Sequence, residues 1–105
     1  MKLIVTIVDT IDVDRVVTTL TDQHISVTRV SSTTGLLNPG NSTLLIGVDE
    51  KDVPQVMKII ADLAAVRPHF VPAIYNGNVI PAGFSEVEVG GFLSFVLNVD
   101  HFEQV

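Results

Sequence analysis

Seven residues from Lys2 to Val8, "KLIVTIV", are β-branched or apolar with no polar alternation, the pattern of a strand covered on both faces. After "DTID", with Thr10 or Asp12 as N-cap, Val13, Val16, Val17 and Leu20 recur at i, i+3, i+4 and i+7 and predict one face of a helix ending near Gln23. "ISVTRVSS" (25–32) and "STLLIGV" (42–48) are two further extended runs, joined by a glycine loop over 33–41. Asp49 and Asp52 signal a second helix with Val53, Val56, Met57, Ile60, Leu63 and Ala64 along one face, and Pro54 is tolerated in its first turn.

The periodicity dissolves at "VRPHFVPAIYNGNVIPAGFS" (66–85), where three of the five prolines fall, and this stretch predicts a long flexible loop. "EVEVGGFLSFVLNV" (86–99) closes the chain as a strand, its Gly90-Gly91 pair marking a bulge or a close backbone approach. Strand, helix, strand, strand, helix, strand is the split βαβ order. It predicts an α+β, ferredoxin-like βαββαβ fold, an antiparallel sheet with two helices on one face. At 105 residues the chain, 1–105, makes one domain.

Composition changes that picture in three ways. A hydrophobic share of 47% is rich for a domain with so little interior, and the surplus points to burial between subunits. Six Lys and Arg against twelve Asp and Glu give a net charge of −6 and no basic stripe, which argues against nucleic acid polymers and anionic membranes as partners. With no cysteine there is no thiol nucleophile or thiolate metal site, and the apolar run "LIVTIV" stops at Asp9, short of a signal sequence or a membrane span. The expectation is a cytoplasmic protein.

Candidate chemistry concentrates in "TGLLNPGNST" (34–43). Gly35, Gly40 and Ser42 have the spacing of a phosphate-binding P-loop, but Asn41 stands where the lysine belongs and a strand, not a helix, is predicted to follow. By its residues alone this is a glycine turn between strands. Glu86 and Glu88 share a strand face about 7 Å apart, near the separation of paired catalytic carboxylates, yet "EVEV" is also what a half-solvated strand looks like. His24, His69 and His101 could form a metal site only if folding gathered them, and "HFE" (101–103) is the sole local pairing. Phe70, Tyr75 and Phe84 would make the 66–85 segment an output surface for a partner protein.

"TTGLLNPGNSTLLIGV" (33–48) and "EVEVGGFLSFVLNVDHFEQ" (86–104), with the start "MKLIVTIV", resemble the PII-like cyclic di-AMP receptors of Gram-positive bacteria over nearly the whole chain. The resemblance implies a PII-like homotrimer that binds cyclic di-AMP between subunits, carries no catalytic residues, metal or cofactor, and signals by loop rearrangement to a downstream protein that the sequence does not name. It places Thr28, Gly35, Leu36, Leu37, Asn41 and Gly47 at the ligand, with Phe95 and Gln104 from the last strand and tail, and Ser26 and His24 beside them. Glycine allows backbone N–H groups close to a phosphate, the Thr28 hydroxyl can donate to it, and Leu36, Leu37 and Phe95 offer apolar surface to adenine. Three positions depart from the family habit. Leu36 replaces an aromatic, Ser26 replaces an arginine whose phosphate contact is worth about 1.5–3 kcal/mol, and His24 replaces an asparagine. The alternative reading is an interaction module of the same fold that has lost or changed its nucleotide.

Overall fold

A computed structural model describes residues 1–30, 40–75 and 78–105, with side chains given for all of these except 70–75 and 78–85. The elements are β1 (Lys2–Asp9), α1 (Thr10–Asp22), β2 (Val27–Val30), β3 (Asn41–Val48), a single 3-10 turn (Glu50–Asp52), α2 (Val53–Ala64), β4 (Arg67–Tyr75), β5 (Asn78–Val89) and β6 (Phe92–Asn98). Strands β2-β3-β1-β6 form one antiparallel sheet, and β4-β5 form a separate two-stranded one. Apart from that inserted hairpin the order is the expected ferredoxin-like βαββαβ.

Both helices lie on one face of the sheet, and alternation explains the core. Ile4, Thr6 and Val8 of β1 and Leu44, Ile46 and Val48 of β3 point to that face, where Val13, Val16 and Leu20 of α1 and Val56, Ile60 and Ala64 of α2 meet them. The helix positions are among those the helical patterns selected; the strand runs, lacking alternation, had marked no face. Thr6 is buried among them, its hydroxyl hydrogen-bonded to that of Ser94 on β6. The opposite face of β1, carrying Leu3, Val5 and Ile7, is only partly covered within one chain, so the expectation of a strand buried on both sides holds here for one side.

Helix α1 is capped one residue earlier than expected. Asp9, not Thr10 or Asp12, has extended backbone angles and accepts a hydrogen bond from the Ile11 N–H at 3.0 Å. Asp12 is freed for the interior. At the other end His24 takes a left-handed conformation, φ 61°, and the His24 and Ile25 N–H groups donate to the carbonyls of Thr21 and Leu20. That is a Schellman closure.

Two expectations are corrected. The segment 66–85 is not a loop: it contributes most of the β4-β5 hairpin, in which Arg67 pairs with Val89 and Tyr75 with Asn78. Its prolines misled because every strand of a two-stranded ribbon is an edge, with positions whose missing N–H costs no ladder bond; the register does shift between Pro72 and Ile74. The run 86–99 is likewise not one strand. Gly90 and Gly91, at φ 86° and 91°, separate β5 from β6 and pass the chain from one sheet to the other. The expected close approach is there: the Gly91 N–H donates to the Ala64 carbonyl at 2.6 Å, and a Cβ at Gly90 would lie 2.6 Å from the Ala65 oxygen.

Candidate functional site

On the uncovered face of the sheet the strand registers align residues in rows. Phe95, Val5, Leu45 and Thr28 form one row across all four strands; Leu97, Leu3 and Gly47 form the next, with Ser26 just ahead of β2. Beyond β6 the chain doubles back, tied where the Val99 N–H donates to the Met1 carbonyl at 3.2 Å. The tail thereby becomes a wall. Between it and the sheet lies a cleft of about 550 Å³, floored by Leu3, Thr28, Leu45 and Gly47, edged by Met1, Lys2 and Ser26, and walled by Val99, Phe102, Glu103 and Gln104. Gly47 lets the Met1 methyl lie close against the floor, where a Cβ would meet it at 3.2 Å.

Of the residues anticipated at a ligand, Ser26, Thr28, Gly47 and Gln104 therefore line one cleft. His24 lies beside it, in a shallow depression shared with Ser26 and Gly47. Phe95 is exposed in the Thr28 row but three strand spacings away, roughly 14 Å. Asn41 shares a face with Gly47 at the opposite end of β3, six residues and so about 20 Å away. Gly35, Leu36 and Leu37 lie outside the described residues. Sequence reasoning did not anticipate Met1, Lys2, Leu3, Leu45, Val99, Phe102 or Glu103 at the cleft. Leu3, Leu45 and Val99 are ordinary apolar residues of strand patterns and Met1 and Lys2 precede or open the first of them, while Phe102 sat inside "HFE", which drew attention only for its ligating neighbours.

The electrostatics of the cleft are mild. Arg29, the cation nearest in sequence to Thr28, faces the helix side, where its guanidinium donates to Asp14 at 3.2 Å, as strand alternation requires. Lys2 reaches the cleft edge with its ammonium donating to the Asn98 side chain. Donors for an anion are thus the Lys2 ammonium at the edge, the Ser26 and Thr28 hydroxyls, the Gln104 amide and backbone N–H groups. The P-loop alternative fails on geometry, because Gly40 leads into β3 and Ser42 is buried.

A second polar cluster joins α1, α2 and the hairpin. Asp12 is fully buried on α1; Arg67, at the start of β4, donates to both its carboxylate oxygens at 2.5 and 3.2 Å, and Arg15 donates at 2.9 Å. Arg67 also donates to the Ala65 carbonyl, and the Gly90 N–H donates to Asp9 at 3.2 Å. Burial pushes the Asp12 carboxyl up, but the hydrogen bonds and charges of Arg67 and Arg15 outweigh it and hold the carboxyl below its usual range. The bond to Asp12 correspondingly raises Arg67. On the other side of this junction the Thr10 N–H donates to the Gly40 carbonyl at 2.6 Å, tying the start of β3 to the start of α1.

The other candidates stay dispersed. His101 and Glu103 approach to 3.3 Å on the exposed tail, His69 lies in the hairpin opposite Val87, and among the described residues no three ligating groups converge for a metal. Glu86 and Glu88 are exposed on β5, opposite Phe70 and Pro68, and neither lines the cleft. No helix of the described residues is long and apolar enough to cross a membrane.

A ferredoxin-like domain with an open cleft of apolar, hydroxyl and amide groups has the features of a small-molecule-binding protein. Residues 1–105 match the model of the cyclic-di-AMP receptor family, and the chain belongs to that family. A crystal structure of a functionally unknown protein from Pediococcus pentosaceus is similar at 35% identity and a TM-score of 0.81, over 99% of this chain and 96% of that one.

Proposed function

We propose that the protein is a signal receptor which binds cyclic di-AMP in this cleft, at the subunit boundaries of a homotrimer, and passes binding on to a partner protein through rearrangement of its loops. The observation that carries the reading is the convergence of Ser26, Thr28, Gly47 and Gln104, which the family resemblance places at the ligand, on one cleft of about 550 Å³, within the usual size range of ligand pockets. Phosphates are held by hydroxyl and backbone donors rather than by a P-loop lysine and a metal, and the bases by apolar surface. The trimer is supported by the uncovered sheet face, on which Leu93, Phe95 and Leu97 are about half exposed, one chain leaving bare what a neighbour would cover. Within this reading His24, Gly35, Leu36, Leu37, Asn41 and Phe95 complete the site from the rest of the trimer interface.

Calorimetry with cyclic di-AMP, cyclic di-GMP, ATP and AMP, each without and with magnesium, tests it. Cyclic di-AMP is expected to bind, and a tenfold excess of ATP to leave that binding unchanged. Magnesium-dependent ATP binding would overturn the reading. Silence with all four nucleotides would favour the interaction module that has lost its ligand.

A further inference from the structure

The cleft has a flat aromatic wall that neither the family resemblance nor the glycine-loop pattern assigns. Phe102 lines it, 62% exposed, on the irregular tail after β6. Among the described lining residues it is the one aromatic ring. The tail is tied to the sheet ahead of Phe102 by the Val99 N–H to the Met1 carbonyl at 3.2 Å, while the residues on its two sides, His101 and Glu103, approach each other to 3.3 Å. Across the cleft stand Leu3 and Leu45, which are aliphatic. A large ring left uncovered in a cleft beside an aliphatic floor leaves a slot open for a planar group.

We infer that Phe102 is the stacking platform for one base of the nucleotide, clamping it against Leu3 and Leu45, an inference that rests on the proposed function above. Chemistry assigns the orientation. Glu103 brings a carboxylate to the same wall, which repels phosphate but accepts hydrogen bonds from an exocyclic amine, while the Gln104 amide both donates and accepts. The tail wall is therefore the base side. Ser26 and Thr28, with hydroxyl donors and no carboxylate between them, form the phosphate and sugar side.

The chain contains no tryptophan, so Phe102→Trp introduces a single indole reporter. This variant, which keeps a π-face, is expected to bind cyclic di-AMP with its indole fluorescence quenched as the ligand is added. Phe102→Leu, which keeps apolar bulk but removes the π-face, is expected to lose affinity on the order of tenfold or more by calorimetry while its mass in solution stays that of the wild type. Wild-type affinity in Phe102→Leu, or an unquenched indole in a Phe102→Trp protein that binds, would overturn the assignment and leave the receptor reading standing. A change of assembly in Phe102→Leu would overturn it in favour of packing between copies. Failure of the wild-type chain itself to bind cyclic di-AMP would remove both readings together.

Discussion

His24 is the one non-glycine left-handed residue among those described, and it sits where a Schellman motif favours glycine or asparagine. The asparagine common in the family at this position thus has a backbone reason as well as a place beside the cleft. His24→Gly is expected to raise stability by about 0.5–1 kcal/mol, relief of left-handed strain being partly offset by the extra freedom of glycine in the unfolded chain. A lower denaturant midpoint would show instead that the imidazole makes contacts worth more than the strain. Ser26 tests the cleft from another side. Ser26→Arg is expected to tighten cyclic di-AMP by about 1.5–3 kcal/mol at low salt, and the gain should shrink as salt is raised, since screening acts on the charge contact. Titrations at two ionic strengths check it, and a salt-independent gain would exclude phosphate pairing. Thr28 and Gly47 were anticipated through the family resemblance, which assigns them to the ligand; Phe102 lies inside the motif of 86–104 without such an assignment, and a lone aromatic in a tail has no periodicity to reveal which surface it faces.

At the scale of elements, the hairpin is the part least visible in the sequence. It is anchored by Asp12 and Arg67, 55 residues apart, a pairing that no local pattern encodes. The anchor makes a pH prediction. Since the Asp12 carboxyl is held below its usual value in the folded protein, the folded state takes up its proton less readily than the unfolded chain. Its stabilisation is present above the ordinary carboxylate pKa of about 4 and is lost as pH falls through the lowered native value. Asp12→Asn is expected to cost about 1–3 kcal/mol at pH 7, because Arg67 and Arg15 lose a buried acceptor, and the two proteins should converge towards pH 3. Urea unfolding at both pH values decides it. An equal gap at both would mean that Asp12 acts through shape alone. Gly90 belongs to the same junction: its positive φ and the 2.6 Å approach to the Ala65 oxygen leave no place for a side chain where β5 hands over to β6.

Among the described residues, the sheet face opposite the helices is apolar and only partly covered, by the tail that walls the cleft. Leu93, Phe95 and Leu97 expose 49–55% of their surface there, beside the partly covered Leu3, Val5 and Ile7. A contiguous patch of this kind on a small domain marks an interface. Light scattering at micromolar protein is expected to give three times the 11.3 kDa chain mass without ligand. Leu97→Glu, which sets a carboxylate on that face, should shift the mass to that of one chain with little change in secondary structure. A monomeric wild type would overturn the trimer, and a trimeric Leu97→Glu would place the interface elsewhere.

The periodic segments of this chain determined their own fates. The helical stripes of 13–20 and 53–64 carry their burial in their spacing, since one covered face imposes a period of 3.6 on a helix, while the apolar runs of Lys2 to Val8 and Ser42 to Val48 identify strands without marking which face is covered. From these alone the ferredoxin-like order and most of the core follow. Tertiary structure decided the rest. Whether a proline-rich segment is a loop or a ribbon depends on which edge its prolines turn to solvent, and whether Gly90-Gly91 bends one strand or divides two depends on what packs behind it. The cleft is of the second kind as well: Ser26 and Gln104, 78 positions apart, share it only because β6 ends beside the start of β1 and turns the tail across the sheet. Spacing along a chain records which face a residue occupies, but not which distant segment arrives to face it.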